Sequence, residues 1–215
     1  MRRDAVYVYV ASIPFPVEEE SVYPASREEE IAGCANEGVR RQKYFVWKLL
    51  EKALATAFGL KLAELNLKRN GSGKWECAEC FFSLSHCGDL VAVALSKEPV
   101  GVDVERVDGG RFCGALAERI ATESELALLN GAEESVRGEA VNILWTKKEA
   151  VFKAYGTGGF NPKQVETTNR AAETKRVECG GQSYFITVAS ADAARAVFCG
   201  ADGVELTDCK DPLGQ

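Results

Sequence analysis

The sequence predicts an α/β protein made of two α/β halves, and three observations carry that prediction. Along the chain the elements run strand, helices, three strands, helices, three strands. Two long segments, near residues 36–58 and 135–155, repeat their apolar residues at helical spacing. Short runs of alternating or continuous apolar residues, bounded by turn signals, supply the strands. No sequence repetition links the halves. A length of 215 residues suits one or two domains and buries a core without metal or disulfide support.

Each element has its own signal. Val6, Val8 and Val10 alternate with Tyr7 and Tyr9, so residues 5–10 read as a strand that ends at Pro14 and Pro16. The acidic clusters Glu18–Glu20 and Glu28–Glu30 flank Pro24 and read as a solvated loop and a helix start. From about Asn36 to Phe58, Val39, Phe45, Val46, Leu49, Leu50, Ala53, Leu54 and Ala57 form one apolar side, and Gly59 is placed to end the helix. Its N-terminal turns carry Arg40, Arg41 and Lys43, with Lys48 further on. Cations at that end oppose the macrodipole, so helix stability alone does not explain them.

Asn70–Gly73 is a turn, and strands are expected at Phe81–Ser85, Leu90–Ser96 and Val100–Glu105. Gly88-Asp89 and Lys97-Glu98-Pro99 are short enough to join hairpin partners. Thr122 and Glu125 form a capping box that starts a helix toward Asn130-Gly131. Residues 135–155 form the next helix, ended by Gly156, and strands return at Tyr184–Ala189, Ala196–Cys199 and Val204–Leu206. Asp208–Gln215 reads as a loose tail.

Composition narrows the function classes. Hydrophobic residues at 46% and charged residues at 27% are ordinary for a globular protein. The 26 basic and 32 acidic residues leave a net charge of −6, which argues against a chain held to nucleic acid by bulk charge. One histidine, His86, excludes any site that needs two histidine ligands. No run approaches the 18 or so apolar residues of a membrane span. Arg2, Arg3 and the apolar run after them resemble an export signal. However, Asp4 interrupts the basic stretch and the run has a strand's alternation, so a cytoplasmic protein is expected. The eight cysteines are irregularly spaced. Cys77 and Cys80 form a Cys-x-x-Cys, with His86 and Cys87 close behind, but no second such pair completes a zinc site, and reduced thiols in and around strands are expected.

Three segments can carry chemistry. On a strand, Gly101, Asp103 and Glu105 share one face while Val100, Val102 and Val104 share the other. Two carboxylates beside a glycine outline a hard-cation site, although an exposed acidic strand face has the same pattern. On the 135–155 helix, Trp145, Glu149 and Lys153 fall on one side; Glu149 and Lys153 also have the spacing of an ordinary surface ion pair. Ser85 and His86 end a strand, where they can donate hydrogen bonds to a phosphate or simply serve the fold. Together, adjacent carboxylates, a lysine, a histidine and a basic helix suit the holding of a magnesium-bound polyphosphate while a phosphate ester breaks.

In these segments the chain resembles the 4′-phosphopantetheinyl transferases, specifically the larger, Sfp-type form. The family pattern is a Ser-His at a strand end, then Gly-x-Asp-x-Glu, then Trp-x-x-Lys-Glu-x-x-x-Lys before a glycine turn. Here these are Ser85-His86, Gly101–Glu105, Trp145–Lys153 and Gly156–Gly158, with Thr122–Glu125 as the family's helix start. The resemblance covers about residues 36–165. It implies transfer of phosphopantetheine from coenzyme A to a serine of an apo acyl or peptidyl carrier protein, with release of 3′,5′-ADP. By the same resemblance, Asp103, Glu105 and Glu149 would hold Mg2+, and Glu149 would also act as general base. Lys153 would stabilise the pyrophosphate, and His86 with Ser85 would contact the nucleotide's phosphates. Arg40, Arg41, Lys43, Lys48 and Lys74 would bind the coenzyme. Trp75 replaces a family proline after Gly73-Lys74, and Lys48 stands where an arginine is usual.

The resemblance further implies two similar halves in a pseudo-two-fold arrangement, the 4′-phosphopantetheinyl transferase fold. Residues 1–99 would carry the coenzyme helix and first sheet, and 100–215 the metal-binding strand and catalytic helix, in a monomer. A non-catalytic module that binds coenzyme A or a carrier protein, and a magnesium-dependent phosphohydrolase, are the alternatives.

Overall fold

The computed structural model describes residues 5–17, 24–71, 73–108, 110–111, 114–201 and 203–209. Along it run β1 (Tyr7–Ser12), α1 (Ala25–Ala32), α2 (Glu37–Phe58), β2 (Lys68–Arg69), β3 (Trp75–Glu76), β4 (Phe81–Cys87), β5 (Leu90–Ser96) and β6 (Gly101–Arg106). They are followed by α3 (Gly114–Ile120), α4 (Glu123–Gly131), α5 (Glu134–Tyr155), β7 (Ala172–Cys179), β8 (Gln182–Ala189), β9 (Val197–Gly200) and β10 (Val204–Asp208). Glu18–Glu20, Arg2, Arg3, Cys113 and the tail beyond Cys209 lie outside the described residues.

Two four-stranded sheets, ordered β4-β5-β1-β9 and β10-β7-β8-β6, form the centre. Strand alternation sorts their side chains into layers. Val8, Val10, Leu90, Ala92 and Ala94 of the first sheet meet Val102, Val104, Val177, Tyr184, Ile186 and Val188 of the second in one core. The opposite face of the first sheet, with Tyr7, Tyr9, Val91, Val93, Leu95 and Phe82, packs on Val46, Trp47, Leu50, Ala53 and Leu54 of α2. Ala150 and Val151 of α5 pack with Ala189 on the far side of the second sheet. The layers therefore run helix, sheet, sheet, helix, and fully burying a leucine such as Leu50 or Leu54 contributes about 1.5–3 kcal/mol.

The ends of α2 follow its caps. Asn36 accepts a hydrogen bond from Val39 N at 3.0 Å, and Gly59 takes the left-handed conformation at φ 65°. The capping box of α4 also forms: Thr122 N donates to Glu125 Oε2 at 2.8 Å, and Glu125 N donates to Thr122 Oγ1 at 3.4 Å.

Several elements differ from the sequence expectation. Gly88-Asp89 does join the hairpin partners β4 and β5, but Lys97-Glu98-Pro99 does not join β5 to β6 as a hairpin. Both edges of β5 are occupied, by β4 and β1, so the chain crosses to the second sheet and β6 pairs with β8. Pro24 precedes the short helix α1, and Glu28 lies in its first turn, in line with the expected helix start. Helix α3 and strand β7 were not expected; β7 turns only Val177 and Cys179 into the inter-sheet core and is otherwise charged or small. The β7–β8 connection is Gly180-Gly181, both at positive φ (57° and 74°), as a tight hairpin turn requires. From the second half of the chain, β9 returns to pair in parallel with β1.

Candidate active site

The site is built where β6 meets α5, and Gly101 allows the meeting. A Cβ at Gly101 would stand 1.9 Å from the Ala150 carbonyl oxygen and 2.6 Å from Ala154 N, so the helix backbone rests directly on the strand. The next two residues on that face of β6 are Asp103 and Glu105, and the turns of α5 above them present Trp145, Glu149 and Lys153. The periods of strand and helix thus converge on one patch. Gly101→Ala is therefore expected to lift α5 from β6. It should lower the melting temperature and cut activity about a hundredfold, as a displacement of about 1 Å near reacting groups does. Parallel melts and initial rates check this, and an unchanged rate would sever the link between this contact and the site.

Within the patch, Lys153 Nζ lies 2.6 Å from Asp103 Oδ1, 3.6 Å from Glu149 Oε2 and 3.4 Å from Ser85 Oγ. Ser85 Oγ donates to Asp103 Oδ1 at 2.9 Å and accepts from Val104 N at 3.2 Å. Ser83 Oγ likewise accepts from Val102 N at 3.0 Å. Since β8 pairs only one edge of β6, the two serines of β4 satisfy amides on the other and lock Asp103 in place. Trp145 Nε1 donates to Glu105 Oε1 at 3.1 Å, and Arg111 approaches Glu105 Oε2 at 3.2 Å from the rim.

The electrostatics are those of crowded anions. Burial raises the pKa of Glu105, and the Asp103 carboxylate adds to the rise. Burial also raises Glu149; Lys153 opposes this, and Asp103 and Glu105 reinforce it. For Lys153, burial is the largest influence and acts downward, but Asp103 and Glu149 together outweigh it and hold the ammonium above its ordinary value. Asp103 is 4% exposed, yet its Oδ2 has no hydrogen-bond partner among the described residues. An orphaned carboxylate oxygen among mutually repelling carboxylates is a donor set that fits a hard divalent cation. Among the described residues no three such side chains stand together as a preformed metal cluster, and the cation held against Asp103 is the Lys153 ammonium.

The expected coenzyme residues separate into two groups. Ser85 and His86 are neighbours in sequence but point to opposite faces of β4, Ser85 to Asp103 and His86 to the α2 side. Burial lowers the His86 pKa, and Lys153, Arg27 and Lys43 lower it further, which marks a cationic surrounding suited to an anion. Arg40 and Arg41 are exposed near the start of α2, Arg41 being 3.7 Å from Asp89. Lys43 pairs with Glu30 at 3.0 Å, and Glu30 also takes Arg27 at 2.8 Å and Arg69.

Lys48 and Lys74 have inward partners instead. The Lys48 side chain is 2% exposed, 4.0 Å from Glu51 and over the Tyr44 ring. Lys74 Nζ donates to the Lys153 carbonyl at 2.6 Å and the Val100 carbonyl at 3.3 Å, capping the C-terminal turn of α5. Burial lowers its pKa. Beside it a cavity of about 280 Å3, walled by Trp75, Phe82, Leu84 and Phe152, reaches Lys153. Trp75, at the expected proline position, stacks edge-on against Trp47 and lies under Arg69.

Comparison with known proteins bears on this arrangement. The model of the 4′-phosphopantetheinyl transferase superfamily matches residues 99–200. The 4′-phosphopantetheinyl transferase psf-1 of Bacillus pumilus is 31% identical over 180 residues, covering 78% of this chain and 76% of that protein. The chain belongs to the 4′-phosphopantetheinyl transferase superfamily. The 4′-phosphopantetheinyl transferase of Bacillus subtilis is 26% identical over 179 residues, or 77% of this chain and 78% of that one. The 4′-phosphopantetheinyl transferase gsp of Aneurinibacillus migulanus is 29% identical over 115 residues; that match spans 53% of this chain and about half, 48%, of the relative.

The superfamily match includes Asp103, Glu105, Glu149 and Lys153, whereas His86 and the basic helix precede it. The sequence reading missed the role of Lys148, one residue before Glu149. Lys148 Nζ lies 2.6 Å from Glu125 Oε2 with both side chains buried, and it donates to the Pro162 and Val165 carbonyls. The available signal was the glutamate of the capping box, which accepts from Thr167 as well as from Thr122.

Proposed function

We propose that the protein transfers the 4′-phosphopantetheine group of coenzyme A to a serine of an apo acyl or peptidyl carrier protein and releases 3′,5′-ADP, in a magnesium-dependent reaction. The observation that carries this reading is the meeting of Asp103 and Glu149 at Lys153, with Glu105 two residues along the same strand face and Asp103 Oδ2 without a partner among the described residues. Asp103, Glu105 and Glu149 are the residues that would hold Mg2+, which supplies neutralisation of the pyrophosphate's charge.

This chain's own groups do the rest. Glu149, raised above the ordinary carboxylate range by burial and like charge, is strengthened as the base that takes the proton of the carrier's serine. The serine oxygen bonds to the phosphorus that bears pantetheine, and the bond from that phosphorus to the nucleotide phosphate breaks. Lys153, fixed by Asp103 and kept protonated, faces the charge that develops on the leaving group. His86, in its cationic surrounding, serves the nucleotide's phosphates with Lys43, Arg40 and Arg41. Ser85 and Lys74 act as positioning residues, since their polar atoms already hold Asp103 and the end of α5, and Lys48 adds a cation beside Glu51 on α2.

In this reading residues 1–99 contribute the coenzyme side and residues 100–215 the carboxylate strand and catalytic helix, and the protein acts as a cytoplasmic monomer. The described cysteines are free thiols, in keeping with a reducing compartment. No helix among the described residues is long and apolar enough to cross a membrane. The test is the intact mass of an apo carrier protein incubated with the enzyme, coenzyme A and Mg2+. A gain of one phosphopantetheine, abolished by EDTA, is expected. Free phosphopantetheine with unmodified carrier would make the protein a phosphohydrolase, and coenzyme binding with no product would make it a binding module.

A further inference from the structure

The segment between β3 and β4 is not used by the reaction above, yet it brings two thiols into contact. Cys77 and Cys80 form the single Cys-x-x-Cys of the chain. Their sulfurs lie 3.8 Å apart across the bend at Ala78 and Glu79, and Cys77 Sγ is 3.3 Å from the Cys80 carbonyl oxygen. A second contact steadies the bend: Lys97 Nζ donates to the Glu79 carbonyl at 2.8 Å. The two sulfurs are unequal in access. Cys80 is 5% exposed within the α2 core, and Cys77 is half-buried at its edge. Joining them needs the separation to shorten to about 2.05 Å, which side-chain rotation within so short a turn supplies.

We propose that Cys77 and Cys80 form a thiol–disulfide exchange site, with Cys77 the attacking and Cys80 the resolving sulfur, oxidised reversibly by low-molecular-weight disulfides of the glutathione type. The Cys77 thiol gives its proton to solvent, and its sulfur attacks one sulfur of the disulfide. The disulfide bond breaks, and one small thiolate leaves and takes up a proton. Cys80 then loses its proton and attacks Cys77 Sγ of the mixed disulfide, displacing the second small thiol. Two protein thiols are oxidised and one small disulfide is reduced to two thiols, so atoms and electrons balance. The electrostatics agree with this order: the hydrogen bond from Cys80 lowers the Cys77 thiol to about 7, and the same pairing together with burial raises Cys80. Trp75 and Phe82, two residues to either side of the pair, line the cavity that reaches Lys153.

The test uses the full-length protein in glutathione redox buffers at neutral pH, quenched with acid and followed by intact mass and peptide mapping. The oxidised form is expected to lose two hydrogens, mapped to a Cys77–Cys80 bridge and restored by dithiothreitol. Iodoacetamide is expected to label Cys77 at least about tenfold faster than Cys34. Cys80→Ser should accumulate a glutathione adduct on Cys77, and Cys77→Ser should form neither adduct nor bridge at this turn. A bridge between other cysteines, a persistent adduct in the unsubstituted protein, or a Cys77 no more reactive than Cys34 would each overturn the proposal. The site does not depend on the proposed transfer reaction, so its failure and a failure of that reading are separately visible.

Discussion

Glu149→Gln is expected to lower phosphopantetheine transfer by at least about a hundredfold, or 2.7 kcal/mol of transition-state stabilisation, while the melting temperature stays the same or rises. The two halves of this result come from one observation. Burial raises the Glu149 pKa, and the charges of Asp103 and Glu105 add to the rise against the pull of Lys153. A neutral amide of the same shape relieves that repulsion, so the fold loses nothing, but it can neither accept the serine proton nor add charge for a divalent cation. Asp103→Asn should cost as much activity for a different reason. It removes the carboxylate 2.6 Å from Lys153 Nζ and leaves the ammonium with the Ser85 hydroxyl at 3.4 Å and the more distant Glu149 carboxylate at 3.6 Å. Initial rates on an apo carrier, paired with calorimetric melts, separate the two effects. A Glu149→Gln enzyme that turns over at the unsubstituted rate would remove this residue from the chemistry. A large drop in melting temperature would show that its charge serves the fold.

The same contacts show what residue order could and could not reveal. The period of two that puts Asp103 and Glu105 together, and the four-residue spacing of Trp145, Glu149 and Lys153, are local regularities, and each survives in the structure. The limits of α2 were legible because Asn36 and Gly59 are cap residues with a physical reason to stand there. The continuous apolar run of β5 was bounded by turn residues, and the strand ends where they do. What failed was partner choice. The turn after β5 is short enough for a hairpin, but a hairpin needs a free strand edge, and β1 had already taken it from far away in sequence. Lys48 and Lys74 were expected at the coenzyme by resemblance to the family alone. That the Lys74 ammonium turns inward to the Lys153 carbonyl while Lys48 lies beside the Glu51 carboxylate is decided by neighbours that local pattern does not contain. Ser85 and His86 are adjacent in the family pattern, and the strand's own alternation sends them to opposite faces.

Lys148→Met is expected to destabilise the fold by about 3–5 kcal/mol, the cost of leaving a buried carboxylate without its partner. For a chain of this size that corresponds to a fall in melting temperature of roughly 6–20 °C. Lys148 and Glu125 are both essentially inaccessible, 2.6 Å apart, and their remaining hydrogen-bonding capacity is filled. Lys148 donates to the carbonyls of Pro162 at 2.9 Å and Val165 at 2.5 Å. Glu125 accepts from Thr167 N at 3.1 Å and Thr167 Oγ1 at 2.8 Å, and from Thr122 N at 2.8 Å. The pair therefore ties three segments together: the start of α4, the loop at 162–167 and the middle of α5. Burial lowers the Lys148 pKa and Glu125 opposes that, so removing the carboxylate also removes the reason for this lysine to stay charged. Lys148→Met combined with Glu125→Gln should recover most of the lost stability, because the double variant leaves no uncompensated charge. Activity should fall in the single variant even where it remains folded, since Lys148 fixes the turn of α5 that carries Glu149. Denaturant titrations of the two singles and the double variant complete the cycle. Additive losses would mean that the two charges do not act as a pair, and a single-variant loss below about 1 kcal/mol would mean that water reaches the site and screens it.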